Sequence, residues 1–184
     1  MIKYRNDLGK YLVNKRLTGI GIEIGVARGI NAKQILDTWS GYLYLVDPWQ
    51  HIDKYEDIAN VSDLEQETIF RDTVKLLTPY FRRVTILRRF SKDAVSEFPD
   101  EFFDFIYIDA DHSYEAIKLD ISIWWPKLKK GGLMGGHDYV DGDLPEGKFG
   151  VKSAVDEFLN GLNNPPQLTV TDEHWPSWFF HKNE

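Results

Sequence analysis

The stretch from Gly19 to Gly29 reads Gly-Ile-Gly-Ile-Glu-Ile-Gly-Val-Ala-Arg-Gly, and it decides the fold of this chain. It begins as an apolar run, ends in glycines and is followed at once by a helical pattern from Asn31 to Trp39. That order of strand, tight turn and helix is typical of the opening unit of a nucleotide-binding α/β sheet. Gly25 and Gly29 allow a sharp turn and the close approach of a ligand, because neither carries a Cβ.

Glu23 is the unusual residue of this strand. It lies between Ile22 and Ile24, at a depth where a carboxylate is costly unless a cation or a hydrogen-bond donor meets it. A phosphate-binding turn gains nothing from an acid at this position, whereas a cofactor that carries an ammonium group does. Glu23 therefore predicts a ligand with a cationic group.

Length and composition narrow the class of protein. The chain has 184 residues, and we expect residues 1–184 to form a single domain with a full core. A formal net charge of −7 disfavours a nucleic-acid partner, and no apolar run reaches the roughly 18–20 residues of a membrane span. Cysteine is absent, which excludes disulfides, thiolate metal sites and cysteine nucleophiles. A protein of the cytoplasm, acting away from membranes, is the simplest interpretation.

Strand and helix patterns alternate along most of the chain. Apolar runs predict strands, and spacing of 3.6 residues predicts helices, in this order: strand 18–26, helix 31–39, strand 42–46, helix 63–77, strand 84–88, helix 91–98, strand 103–108, helix 112–128, strand 133–136 and helix 151–162. Ser91 can cap the short helix that ends at Phe98. Such alternation favours a parallel sheet that is covered on both faces. The polar, irregular segment 50–61 and the loop 139–149 are predicted lids.

The C-terminal tail departs from this alternation. Residues 168–171 and 178–181 are separated by too few residues for a helical crossover, so they should pair as an antiparallel hairpin. The predicted fold is therefore α/β, a doubly wound Rossmann-like open sheet of seven strands with an antiparallel C-terminal hairpin.

With the glycine turn, Asp47 and the hairpin taken together, the chain resembles the class I S-adenosylmethionine (SAM)-dependent methyltransferases from about residue 18 to residue 181. The resemblance implies that Glu23-x-Gly25-x-x-x-Gly29 lines the methionine end of SAM, with the acid answering the α-ammonium group. It also implies that Asp47, at the tip of the second strand, accepts both ribose hydroxyls. The further cofactor contacts that it implies are Asn31, Phe90, Ser91 and Asp109.

A narrower resemblance lies in Ile108-Asp-Ala-Asp-His-Ser-Tyr-Glu115 and Gly135-Gly-His-Asp-Tyr139, which look like metal-dependent small-molecule O-methyltransferases of the catechol and macrolide-sugar types. In that group an acid at the end of the fourth strand, here Asp109, binds a divalent ion. Two polar residues after the fifth strand, here His137 and Asp138, complete the metal site, and a base three residues after the first acid falls on His112. His137 departs from the family, which more often has an acid or asparagine there.

Elementary electrostatics supports a cation at this place independently. The carboxyl ends of neighbouring parallel strands meet at the crevice where ligands bind, and carboxylates crowded there repel one another unless a cation neutralises them. Magnesium is the expected metal. A histidine at a helix start is easier to keep neutral, because the helix dipole disfavours imidazolium, and this suits His112 as a base.

The resemblance implies a SAM-dependent methyltransferase that transfers a methyl group to a hydroxyl of a small molecule such as a sugar or a phenol. Asp109 and His112 are the predicted catalytic residues. Two alternatives are an NAD-dependent oxidoreductase on a related sheet and a non-catalytic protein that binds SAM through the same fold. The oxidoreductase would need Gly-x-Gly-x-x-Gly at the turn, and Gly19-Ile-Gly21 lies too early, inside the strand.

Overall fold

The computed structural model of the protein describes residues 2–53, 55, 57–162, 167–168 and 175–183, with 167–168 described by their backbone alone. The strands are β1 (Ile20–Ile24), β2 (Tyr42–Val46), β3 (Val84–Leu87), β4 (Phe103–Ile108), β5 (Leu128–Gly136), β6 (Asp141–Leu144), β7 (Gly147–Gly150), β8 (Gln167–Leu168) and β9 (Trp178–His181). The helices are α1 (Leu8–Asn14), α2 (Ile30–Thr38), α3 (Asp63–Leu77), α4 (Ser91–Ala94), α5 (Tyr114–Trp124) and α6 (Val151–Asn160).

Seven strands form one sheet in the order β3-β2-β1-β4-β5-β9-β8. Strands β1 to β5 are parallel to one another, whereas β9 runs antiparallel to β5 and pairs antiparallel with β8. The predicted fold and its C-terminal hairpin are thereby confirmed. In the hairpin Leu168 pairs with Trp178, and residues 169–171 of the predicted segment lie outside the described residues.

Side chains that alternate along each strand build a core on either face of the sheet. Phe105 and Tyr107 of β4 point to the face covered by α1 and α2, while Ile106 and Ile108 point to the face covered by α5 and α6. A sheet covered on both faces explains why β4 is apolar at nearly every position. No helix among the described residues is both long and apolar enough to cross a membrane.

Strand register brings three loops together at one edge of the sheet. Ile24 of β1 pairs with Ile108 of β4, and Ile108 pairs with Gly136 of β5. The residues that follow these strands therefore lie side by side. Asp109 donates its amide to the carbonyl of Ile24 at 2.7 Å, and His137 donates its amide to that of Ile108 at 3.2 Å.

Three local predictions are corrected by the structure. Residues 139–149 are not an irregular loop, since most of them form the β6–β7 hairpin. The helix predicted from residue 112 begins at Tyr114, because the carboxylate of Asp111 accepts the amide of Ser113 and turns the chain before the helix. Ser91 does not cap α4: it is the first helical residue, and Phe90 occupies the cap position without a side-chain cap bond.

Candidate active site

A cavity of about 760 Å³ lies at the carboxyl ends of β1, β4 and β5. This is the edge at which open α/β sheets bind their ligands. The predicted site residues that line it are Glu23, Gly25, Asn31, Asp109, His112, His137 and Asp138. The predicted cofactor residues Gly29, Asp47, Phe90 and Ser91 are not among the residues that line this cavity.

Glu23 is buried at the floor of the cavity, with 1% of its surface exposed. Its Oε1 accepts a hydrogen bond of 3.0 Å from the amide of Asn31, and its Oε2 has no partner among the described residues. Burial raises the pKa of Glu23 to about 8, although the hydrogen bond from Asn31 and the charge of Arg5 lower it. A buried carboxylate oxygen without a donor fits a cationic or hydrogen-bonding ligand group.

The backbone conformation and the neighbouring atoms both require glycine at the two glycine positions of the turn. Gly25 has φ +82°, and a Cβ there would lie 1.9 Å from the carbonyl oxygen of Asp109. Gly29 has φ +70°, and a Cβ there would lie 2.8 Å from the Cγ2 atom of Thr73 in α3. Gly25 therefore permits the close approach of the ends of β1 and β4, which places Glu23 and Asp109 in one cavity.

Asp47 holds the glycine turn in place. Its Oδ2 accepts the amides of Val26 and Ala27 at 2.9 Å each, and its Oδ1 accepts the amide of Trp49 at 2.7 Å. Ala27 has φ +45°, so these bonds fasten a turn whose backbone is unfavourable for a residue with a Cβ. Asp47 therefore stabilises the turn, and ribose binding by the same carboxylate stays a prediction.

The hydroxyl of Ser91 is hydrogen-bonded to two other side chains. Its hydroxyl donates to Oδ1 of Asp120 at 2.5 Å and accepts the indole N–H of Trp124 at 2.8 Å. Burial raises the pKa of Asp120 to about 6, although the bond from Ser91 lowers it. Phe90 is half-buried beside it. An adenine contact by Phe90 and Ser91 remains a prediction.

Asp109, His137 and Asp138 each offer one ligand atom, and these three atoms lie within 4.8 Å of one another. Ligands that share one divalent ion at 2.0–2.6 Å are about 3–5 Å apart, so the donor set has the size of a metal site. Asp138 has φ +52°, an uncommon backbone conformation for a residue with a Cβ, and it lines the cavity. The mixture of carboxylates and imidazole suits a first-row transition ion better than magnesium.

His112 lies at the centre of three carboxylates. Its Nδ1 is 3.0 Å from Oδ2 of Asp57, and its Nε2 is 3.1 Å from Oδ2 of Asp138 and 3.6 Å from Oδ1 of Asp109. The ring also stacks on Phe149 of β7 at a centroid distance of 4.9 Å.

These carboxylates act against the neutral state expected for His112. Burial alone lowers the pKa of His112, but the neighbouring Asp109, Asp57 and Asp138 raise it to about 10. Three negative neighbours outweigh a helix dipole, and His112 precedes the first turn of α5 by two residues.

Asp57 is a site residue that the sequence pattern did not single out. It lies in the segment 50–61, which also touches the other predicted lid: Asp57 forms an isolated bridge with Gly147, and Ile58 donates its amide to the carbonyl of Glu146 at 3.0 Å. Both predicted lids therefore border the cavity together. No spacing marks Asp57, because its partner His112 is 55 positions away.

Arg5 is the second residue that the pattern missed. Its guanidinium is ion-paired with Oδ2 of Asp109, and its Nε donates to Oδ1 of Asn31 at 3.2 Å. It also lies over the ring of Tyr107, 5.5 Å from the centroid. Although burial raises the pKa of Asp109, the charge of Arg5 and the nearby histidines hold it well below its usual range.

Comparison with known proteins identifies the family. Residues 22–139 match a protein family described as "Methyltransferase domain". The chain belongs to this methyltransferase family. Its match confirms the resemblance to class I SAM-dependent methyltransferases, since the matched range contains the glycine turn and both polar strand ends. A comparison with curated proteins finds no sequence match.

Solved structures share the fold at low sequence identity. A protein assigned as an rRNA methylase from Clostridium thermocellum superposes with a TM-score of 0.68 at 17% identity, covering 100% of this chain and 98% of that chain. The O-methyltransferase from Bacillus cereus in complex with S-adenosylhomocysteine (SAH) gives 0.64 at 14% identity, covering 95% and 78%. The 1,6-didemethyltoxoflavin-N1-methyltransferase from Burkholderia thailandensis, with SAH bound, gives 0.60 at 13%, covering 98% and 79%. These names differ in the methyl acceptor, so this fold does not specify the acceptor.

Proposed function

We propose that this methyltransferase uses SAM to methylate a hydroxyl group of a small molecule, with a divalent ion held by Asp109, His137 and Asp138. One observation carries the proposal: a single cavity contains both the unpartnered buried oxygen of Glu23 and the three clustered ligand atoms. The oxygen of Glu23 suits the ammonium group of the methyl donor. The three ligand atoms suit a metal ion that holds the hydroxyl of the acceptor. Donor and acceptor must be held together for direct transfer.

The cofactor end of the cavity is built from β1 and its turn. Glu23 offers its Oε2 to the α-ammonium group, and Asn31 fixes the orientation of that carboxylate through Oε1. The positive φ angles of Gly25 and Gly29 shape the turn around the methionine end. Asp47, which ties down the same turn, is the proposed partner of the ribose.

At the acceptor end, Asp109, His137 and Asp138 supply two carboxylates and one imidazole. When bound, a divalent ion at these ligands lowers the pKa of a coordinated hydroxyl and orients it. The mixed ligand set points to a manganese-like or zinc-like ion rather than to the magnesium expected from the sequence.

His112 is the proposed proton acceptor. Its Nε2 lies beside both Asp109 and Asp138, so it can reach a hydroxyl held by these residues. Asp57 at Nδ1 and Phe149 on the ring face fix the imidazole in this orientation. A base must be neutral, so this role requires that the charges of Asp109 and Asp138 are compensated by a cation.

The test is methyl transfer from labelled SAM to a panel of sugar, phenol and catechol hydroxyls, with Mn²⁺, with Mg²⁺ and with a chelator. We expect turnover that depends on the metal and is lost in Asp109→Asn, while SAH still binds. His112→Gln should slow turnover by about 10²–10⁴-fold, as for loss of a general base. Activity that is unchanged by the chelator would remove the metal from the proposal, and stabilisation by NAD rather than SAH would support the oxidoreductase.

A further inference from the structure

Arg5 connects the two ends of the cavity. Its Nε donates to Oδ1 of Asn31, and Nδ2 of Asn31 donates to Glu23 at the cofactor end. The Nη2 atom of Arg5 is ion-paired with Oδ2 of Asp109 at the metal end. The backbone around Arg5 is anchored, because Ile2 and Leu8 on either side are each only 1% exposed.

A divalent ion and this guanidinium compete for the same carboxylate. Oδ2 of Asp109 is taken by Arg5, and Oδ1 faces the Nε2 atom of His112. A divalent ion at Asp109 would lie next to the charge of Arg5, and two cations that share a carboxylate in a partly buried site repel each other. The ion therefore binds Asp109 more tightly once Arg5 has moved away.

The carboxylate at the amino-acid end of SAM is an alternative partner for the guanidinium of Arg5. In an α-amino acid the ammonium and carboxylate groups are attached to the same carbon. If Glu23 binds the ammonium group, the carboxylate lies within reach of the next cation along the line Glu23, Asn31 and Arg5. A guanidinium binds a carboxylate well because its N–H groups match the two oxygens.

We propose that Arg5 couples the two sites: it holds Asp109 until the carboxylate of the cofactor takes over its guanidinium, so that the divalent ion binds tightly only after the cofactor. The inference rests on the proposed function and adds an order of binding to it. Because such coupling is reciprocal, the ion should strengthen cofactor binding by the same factor.

The experiment is calorimetric titration of Mn²⁺ into the protein alone, with saturating SAH, and with saturating methylthioadenosine. SAH carries the amino-acid end of the cofactor, whereas methylthioadenosine has the same adenosine thioether without it. We expect SAH to raise the affinity for Mn²⁺ by about 5–150-fold, the usual range for coupled sites, and methylthioadenosine to leave it unchanged. This comparison uses the wild-type protein and needs no variant to fold.

Arg5→Gln tests the residue itself. In this variant we expect Mn²⁺ to bind equally tightly with and without SAH, and SAH to bind more weakly than in the wild type. Arg28→Gln is the matched control, since Arg28 also lines the cavity but is exposed. It should retain the coupling.

Each other outcome has a definite meaning. Equal effects of SAH and methylthioadenosine on Mn²⁺ affinity, or full coupling in Arg5→Gln, would overturn the inference. A wild type that binds SAH, and binds Mn²⁺ equally with and without it, would overturn the coupling alone and leave the methyltransferase function intact. A protein that binds no SAH would overturn the proposed function, and the inference with it.

Discussion

The guanidinium of Arg5 is ion-paired with the carboxylate of Asp109, 104 residues further along the chain. The same guanidinium donates to Asn31, which in turn donates to Glu23. Four side chains from three separate segments thus form one line of charges and dipoles across the ends of β1 and β4. Within a partly buried cavity such contacts polarise one another, so a change in one residue alters the others.

Glu23→Gln should separate cofactor binding from stability. The amide keeps the shape of the side chain but loses the charge for an ammonium group, so we expect SAH affinity to fall about 10–100-fold, as for loss of one charge-assisted hydrogen bond. The variant should be more stable than the wild type at pH 8. Burial raises the pKa of Glu23 to about 8, so at this pH the wild-type fold is destabilised by an acid that ionises more easily in the unfolded chain. Calorimetry and thermal melting measure the two effects.

Glu146→Gln provides the control for that experiment. Glu146 lines the same cavity from the β6–β7 hairpin, so its substitution makes the same change of charge on another segment of the chain. Loss of SAH affinity that is equal in the two variants would indicate a general effect of charge and would contradict the role of Glu23.

Gly25→Ala and Gly131→Ala form a second matched pair. Both glycines have positive φ, +82° and +76°, but a Cβ at Gly25 meets the carbonyl of Asp109 at 1.9 Å while one at Gly131 meets nothing within 4 Å. We expect Gly131→Ala to cost about 1–2 kcal/mol for its backbone alone, and Gly25→Ala about 2–5 kcal/mol. Urea denaturation measures both. Equal losses would show that the ends of β1 and β4 can move apart.

The acids and histidines at the strand ends could be predicted from the sequence for a simple geometric reason. Asp109 and His137 each follow a strand directly and Asp138 comes next, and parallel register brings such positions together whatever the details of the loops. Glu23 could be predicted because a carboxylate inside an apolar strand is conspicuous. In these cases the neighbouring residues alone determine the position.

Arg5 and Asp57 could not be predicted in the same way. Their partners, Asp109 and His112, lie far along the chain, and neither contact repeats with a helical or strand period. The predicted cap at Ser91 failed for a related reason. A buried acid, Asp120, recruits the hydroxyl of Ser91, and a tertiary contact of this kind outweighs a local capping preference.

Asp120 should give the protein a measurable dependence of stability on pH. Its pKa is about 6 in the folded protein, raised by burial from a usual value of 3.8. The folded state therefore binds the proton more tightly than the unfolded state, so the contribution of Asp120 to stability is greatest below pH 4 and is lost as the pH rises to 6. Asp120→Asn removes the group that ionises, so it should stabilise the protein at pH 7 by about 1–3 kcal/mol.

The difference in unfolding free energy between Asp120→Asn and wild type, measured in urea from pH 4 to pH 7, isolates this effect from the other carboxylates. The amide oxygen of asparagine can still accept the hydrogen bond from Ser91. Asp72→Asn, an exposed change in the middle of α3, is the control and should change stability little at any pH. Parallel pH profiles for wild type and Asp120→Asn would refute the assignment.

Asp57 should be a positioning residue for His112. The carboxylate bonds to Nδ1 of the imidazole at 3.0 Å and thereby directs Nε2 toward Asp109 and Asp138. In Asp57→Ala the ring keeps its contact with Phe149 but loses the partner that fixes its rotation and tautomer. We expect kcat to fall about 10–100-fold, as for the loss of outer-shell partners in other sites, with SAH affinity within about twofold of wild type.

Asp53→Ala is the matched control for Asp57→Ala, because Asp53 is an exposed acid in the same segment. Asp57→Asn adds a readout that a purely structural role would not move. Asparagine fills the same space and can orient the ring through its amide oxygen, so it should restore part of kcat without a change in thermal stability relative to Asp57→Ala. Equal kcat in Asp57→Ala and Asp53→Ala would mean that the imidazole of His112 is held by its other neighbours.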